Sequence, residues 1–258
     1  MNNMIKVFKI GGNVVDNDEA LGKFLDDFAA IEGDKVLIHG GGKLATRLAQ
    51  QLGIETKMIE GRRVTDRDTL DVCTMVYAGL INKRIVAALN ARGCKALGLS
   101  GADAGVIPAH KRNPEPIDFG WVGDIDGDKV DHKFMQHLLE IGVTPVFCAL
   151  THDSKGNMLN TNADSVASSV AIACARFAPT QLVFCFEKDG VLVDINDPSS
   201  LIETIDKTSF EQLKADGIIA AGMLPKVTGA LNAVSQGVTE VVIKNSANIS
   251  NNRGTTIR

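Results

Sequence analysis

The chain has 258 residues, 45% of them hydrophobic and 22% charged, a balance that supports a sizeable core and excludes disordered, collagen-like and coiled-coil chains. Set against about 150 residues for an average domain, this length predicts one large α/β domain or two intimate lobes. A net charge of −4 gives no electrostatic reason to expect nucleic acid as a partner.

Short β-branched and apolar runs alternate with longer amphipathic segments, the rhythm of parallel strands joined by helical crossovers. In chain order the pattern predicts strand 5–10, helix 19–31, strand 35–39, helix 43–52, a long helix 66–92 and strand 96–99. An excursion of short strands and turns follows over 106–129, broken by Pro108, Pro114, Pro116, Gly120, Gly123 and Gly127. Helix 133–141, strand 144–150, a hairpin tip at 152–157 and helix 163–177 come next, then strand 181–186, helices 209–216 and 225–236, and strand 240–244. Several strands are nearly continuous apolar runs, as expected when both sheet faces are covered. With no internal repeat or low-complexity linker, the halves on either side of Ala178-Pro179 are expected to share one sheet.

The five cysteines, Cys73, Cys94, Cys148, Cys174 and Cys185, are widely spaced and form no C-x-x-C. They predict neither a disulfide framework nor a zinc site, and they fit a reducing cytosol. The first residues enter an apolar strand without a signal-peptide pattern, and no apolar run reaches the roughly 18 residues that span a bilayer. The expectation is a cytoplasmic protein with no membrane partner.

Chemistry concentrates at a few turns. Strand 5–10 ends Lys9-Ile10-Gly11-Gly12, a lysine at a carboxyl strand end before two residues that let a ligand approach the backbone. Strand 35–39 ends His39-Gly40-Gly41-Gly42, where glycine N–H groups at a helix start form an anion nest, or simply a tight βα turn. No G-x-x-x-x-G-K-[ST] is present, and Gly40 to Ala45 fits the dinucleotide pattern only formally. Arg62-Arg63 precedes Val64-Thr65-Asp66 at a helix start; a guanidinium fork there suits a carboxylate, although a solvated basic turn is as good a reading. Asn160-Thr161-Asn162-Ala163-Asp164 opens an apolar helix for which Asn162 is a ready cap. Gly222-Met223-Leu224-Pro225-Lys226 puts a lysine in a first helical turn, where it opposes the dipole and calls for an anion.

These five motifs occur in the order seen in N-acetylglutamate kinases, and the chain resembles that family from residue 6 to about 257. The resemblance implies an α/β fold, a three-layer αβα sandwich around a mainly parallel central sheet, as in other amino-acid kinases. It implies transfer of a phosphoryl group from ATP, with Mg2+ bound through the nucleotide phosphates, to the γ-carboxylate of N-acetyl-L-glutamate in arginine biosynthesis. By the same resemblance Lys9 and Lys226 stabilise the transferring group, and Asp164 orients them. Gly11 and Gly12 offer backbone N–H groups to the phosphoryl oxygens. Gly41, Gly42, Arg63 and Asn160 hold the substrate. Glu187, Lys188, Asp189, Gly190, Val191, Leu192, Ile218, Ile219 and Ala220 are expected near the nucleotide. No metal ligand is expected from the chain itself. A lobe of about 1–178 would take the acylglutamate, and 179–258 would take ATP.

Two departures stand out. Relatives commonly end the strand before the nucleotide turn in Ser or Thr followed by Asp, whereas here it reads Cys185-Phe186-Glu187-Lys188-Asp189-Gly190. Arg62 stands where relatives usually carry an uncharged residue, and with Lys111 and Arg112 it adds charge that a succinyl group could use. N-succinylglutamate kinase is therefore one alternative, and a non-catalytic nucleotide-binding regulatory protein on the same scaffold is another. An arginine-insensitive homodimer is expected, joined through the 66–92 helix with its apolar stretch at 75–81; burial within one subunit explains that stretch equally well.

Overall fold

The structure, a computed structural model, describes residues 4–59, 61–194, 196–219 and 223–258. Among them, eight strands form one sheet: β1 (Ile5–Ile10), β2 (Lys35–His39), β3 (Ala96–Leu99), β4 (Thr144–Cys148), β5 (Thr180–Phe186), β6 (Thr204–Ile205), β7 (Glu240–Asn245) and β8 (Thr255–Ile257). Their order is β6-β8-β7-β5-β1-β2-β4-β3, and only β7 with β8 is antiparallel. All six strands expected from the sequence lie in it, and the sheet is continuous across residue 178.

Helices cover both faces, because the buried strands are apolar on both. On one side α1 (Asp18–Ala30), α2 (Gly42–Gln51) and the long α3 (Arg67–Asn90) pack on Phe8, Ile10, Leu37, Val146 and Val183. On the other, α4 (His132–Glu140), α5 (Ala163–Ala175), α6 (Lys207–Ala215) and α7 (Leu224–Ser235) pack on Ile5, Val7, Ile38, Phe147 and Leu182. The result is the three-layer sandwich. Alternation along β1 turns Ile5, Val7 and Lys9 toward the α5 and α7 layer.

Local differences from the sequence pattern have simple causes. The run 144–150 divides: β4 stops at Cys148, and Leu150–His152 turns away to pair with Met158–Asn160. The excursion at 106–129 carries a hairpin of Ala109–Lys111 with Gly123–Ile125. The strands β6 and β8 and the one-turn helix Gly12–Val15 are too short to leave a period in the sequence. In α3 the middle seven residues, Met75–Ile81, are π-helical. This helix is 24 residues long with a mean hydropathy of 1.4 over its most apolar window, so by length and composition it could cross a bilayer, contrary to the sequence reading. One side of it, including Cys73, Val76, Ile81, Ile85 and Leu89, is instead buried in the core.

Candidate active site

β1 and β5 run side by side at the centre of the sheet, with Lys9 opposite Phe184 and Ile10 opposite Cys185. The chain leaves β1 for the α1 face and β5 for the α6 face, so a crevice opens beyond their carboxyl ends, where open α/β sheets take ligands.

Lys9 ends up in this crevice, its Nζ 2.7 Å from Asp164 Oδ1. Asp164 sits in the first turn of α5, where Asn162 caps the helix by accepting from the N–H groups of Asp164 (2.7 Å) and Ser165 (3.2 Å). A negative side chain is favoured there by the helix dipole. Lys226 arrives from the other half of the chain, in the first turn of α7, with Pro225 just before it. Its Nζ lies 3.7 Å from the centroid of the Phe186 ring, and Lys9 Nζ lies 5.7 Å from the same centroid. Two ammonium groups thus approach one aromatic ring, with a carboxylate paired to Lys9. Burial pushes Lys226 below the usual lysine range; Asp164 opposes that shift and Lys9 adds to it. An incoming polyanion would relieve the charge crowding of the two lysines.

The glycine turns border the same place. A Cβ on Gly11 would stand 3.7 Å from Lys9 Nζ. At Gly41 a Cβ would come within 2.9 Å of Tyr77 Cδ1 and nearer still to Ile81 Cδ1, so that position must lack a side chain. Gly42, Arg63, Asn160, Asp164 and Lys226 line one cavity of about 770 Å³, together with Tyr77 and Arg112.

Arg63 is buried, and its Nη2 donates to Gly42 O (2.8 Å) and Thr46 Oγ1 (2.8 Å), with Nη1 donating to Thr56 Oγ1 (3.4 Å). Tyr77 also hydrogen-bonds this guanidinium, so among the described residues these partners engage four of its five N–H groups and one donor remains for a carboxylate. Asn160 Nδ2 donates to Thr65 Oγ1 at 3.0 Å, which fixes the amide at the cavity wall. The Tyr77 hydroxyl is raised above its ordinary range, first by burial.

The expected nucleotide turn lies beside this cluster and is tied down by its own contacts. Asp189 pairs with Arg253 Nε at 2.7 Å, Val191 N donates to Thr255 Oγ1 at 2.8 Å, and Glu187 O accepts from Asn245 Nδ2 at 3.0 Å. A Cβ on Gly190 would press on Thr255 Oγ1 at 2.5 Å. Lys188 belongs to the same turn, Leu192 bridges to Leu201, and Ile218 and Ile219 follow α6. Ala220 and Gly222 lie outside the described residues.

The sequence reading missed Tyr77 and Phe186 as parts of the site. Tyr77 is the only tyrosine in the chain, but it sits in an apolar stretch that reads as interface or core. Phe186 registered only as a departure from Ser or Thr. Of the added cations, Arg112 is engaged by both carboxylate oxygens of Asp124, with Nε at 3.1 Å from each, and Lys111 Nζ lies 5.0 Å from the Trp121 ring centroid. Arg62 lines the cavity with its side chain exposed.

Residues 4–245 match the profile of the amino acid kinase family. The chain is 52% identical to an acetylglutamate kinase of Bacteroides thetaiotaomicron over 258 residues, all of both chains. It is 39% identical to an acetylglutamate kinase of Methanopyrus kandleri over 258 aligned positions, covering 98% of this chain and 100% of that one. Among solved structures, smu.665 from Streptococcus mutans superposes with a TM-score of 0.76 at 27% identity, over 98% of each chain. Carbamate kinase from Giardia lamblia bound to AMP-PNP superposes with a TM-score of 0.68 at 16% identity, over 99% of this chain and 98% of that one, a likeness of fold alone.

Proposed function

The chain belongs to the amino acid kinase family, and on that premise we propose that it phosphorylates the γ-carboxylate of N-acetyl-L-glutamate with ATP, an activity of arginine biosynthesis. The observation that carries this reading is the meeting of Lys9 and Lys226, 217 positions apart in the sequence, over Phe186 beside Asp164.

A γ-carboxylate is ionised at neutral pH, so the nucleophile needs no general base. The work left for the protein is to bring an anion to a polyanion and to stabilise the charge between them. A carboxylate oxygen bonds to the γ-phosphorus, the bond to the bridging β,γ-oxygen breaks, and ADP departs with that electron pair. Lys9 and Lys226 face the three non-bridging oxygens of the moving group. Gly11 and Gly12 supply N–H donors, and Gly41 and Gly42 do the same at the acceptor. Arg63 holds the substrate α-carboxylate, and Asn160 reads the acylated nitrogen. The lobe of about 1–178 carries the acceptor, while ATP lies on 179–258 near residues 187–192 and 218–219. Mg2+ enters this reading carried by the phosphates of the nucleotide. When bound there, the ion neutralises phosphate charge.

The acetyl substrate is supported by the acetylglutamate kinases that the chain resembles and by the pairing of Arg112 with Asp124, which occupies one of the three added cations while Arg62 stays exposed at the cavity. Incubation with ATP and either N-acetylglutamate or N-succinylglutamate, with the acyl phosphate trapped as hydroxamate, tests the reading. Product is expected with the acetyl substrate, and product from neither removes the substrate class. Replacing Arg63 with alanine should raise KM for the acylglutamate by about 10- to 100-fold, the value of losing charge-assisted hydrogen bonds, with KM for ATP unchanged; steady-state kinetics with each substrate varied checks this.

The same proposal includes a cytoplasmic homodimer. All five cysteines are free thiols, as in a reducing compartment. The outer side of α3 exposes Met75 and Leu80 beside Gly79, at which a Cβ would meet nothing within 4 Å. Sedimentation should give a dimer, and Leu80→Glu should shift it toward monomer.

A further inference from the structure

His39 closes β2 immediately before the glycine turn and is fully buried, yet the chemistry above gives it no task. Its Nδ1 lies 2.8 Å from Gly40 O, and its Nε2 lies 3.1 Å from Asn82 Nδ2. Asn82 is buried as well; the same Nδ2 donates to Val146 O at 2.9 Å, and its Oδ1 accepts from Lys83 Nζ at 3.2 Å. One proton arrangement satisfies every member. Both Asn82 amide hydrogens are donated, one to Nε2 and one to Val146 O, so Nε2 must accept and Nδ1 must carry the proton that goes to Gly40 O. Burial drops the imidazole to about 4, which keeps the ring neutral and this tautomer in place near neutral pH.

We infer that His39 is a positioning residue whose Nδ1–H sets the orientation of the Gly40–Gly41 peptide and so aims the Gly41 N–H at the acceptor carboxylate. The inference rests on the acylglutamate reading of that turn. In a planar trans peptide the carbonyl and the following N–H point in opposite directions. Holding Gly40 O on the His39 ring therefore turns the Gly41 N–H away from that ring, and among the described residues this N–H, in a buried glycine, donates to no backbone carbonyl. The π-helical stretch of α3 completes the clamp. Tyr77 and Ile81 press on Gly41 from its side-chain position, and Asn82, the next residue, reaches His39. Gly98 in β3 makes room for this, since a Cβ there would collide with Asn82 Oδ1. A general base role is excluded for His39, because both ring nitrogens are committed inside the protein and the ring is wholly buried.

Two substitutions separate positioning from packing, because asparagine places its amide near Nδ1 and glutamine places its amide near Nε2. In the full-length enzyme His39→Asn should keep kcat within about threefold, and His39→Gln should lower it by about 10- to 100-fold, the scale of a displaced catalytic contact. KM for ATP should hold within twofold in both, and their melting temperatures should fall alike. Equal kcat in the two variants, or a loss that follows melting temperature, overturns the inference. A long-range ¹H–¹⁵N spectrum of the unsubstituted protein is a second readout that needs no variant to fold. It should show a protonated Nδ1 and a bare Nε2 at pH 7, and the opposite tautomer overturns the inference. Failure of the substrate reading looks different, for then the unsubstituted enzyme yields no hydroxamate while the tautomer stands.

Discussion

Replacing Lys226 with methionine should lower kcat by about 10²–10³-fold, about 3–4 kcal/mol of transition-state stabilisation, without lowering the melting temperature. The two halves of this expectation come from the same geometry. Lys226 Nζ rests over Phe186 with its affinity for protons reduced by burial and by Lys9. In the resting enzyme its charge is therefore partly desolvated and only partly offset by Asp164. Methionine keeps the length of the stem against Phe186 and removes that charge. During transfer, the oxygens of the moving group carry the charge that the ammonium faces, and a half-buried ammonium acts on that charge through a lower dielectric than bulk water. Acyl-phosphate trapping beside calorimetry measures both quantities; a loss below threefold removes Lys226 from the reaction. Lys9→Met should cost similar activity but also stability, since Lys9 is buried in an ion pair with Asp164.

How much of this was legible in the sequence depended on whether the relevant pattern was local. β1, β2 and β5 are nearly continuous apolar runs, their polar residues lying mostly at or near the strand ends, as Lys9, Lys35, His39 and Thr180 do. Lys9 and the glycines after it could be assigned to a strand end because the apolar run stops there. The ion pair from Lys9 to Asp164 spans 155 positions, and nothing in the residues themselves announces it; only the order of motifs in a known family suggested it. Arg112 read as a spare cation because its partner, Asp124, stands across a hairpin whose pairing leaves no period in a segment full of proline and glycine. The π-helical turn in α3 was invisible for a related reason. Met75–Ile81 is apolar at nearly every position, so no stripe marks which residues face inward. Tyr77 and Ile81 consequently read as interface or core, although they border the glycine turn. Phe186 is the instructive case: as a residue type it was a departure, and as a surface it is where the two lysines gather.

Asp164→Asn should lower kcat by about 10- to 100-fold and shift the alkaline limb of the activity profile to lower pH. The amide still fits the first turn of α5 and can accept from Lys9, but the charge-assisted bond, about 1.5–3 kcal/mol for such contacts, is weakened. The pH shift follows from Lys226. Its protonated form is the active one, and Asp164 supports that form while burial and Lys9 oppose it. Removing the carboxylate leaves only the opposing influences, so Lys226 loses its proton at lower pH than in the parent enzyme and activity falls earlier on the alkaline side. Stability should move the other way. Because the folded protein binds the Lys226 proton less tightly than the unfolded chain does, this group makes unfolding harder as pH rises between the folded and unfolded values. In Asp164→Asn that window extends to lower pH, so the contribution begins to grow at a lower pH just as activity starts to decline. Profiles of kcat and melting temperature against pH, taken on both proteins, measure the two trends together. An alkaline limb that stays in place or moves upward would show that Asp164 does not act through Lys226.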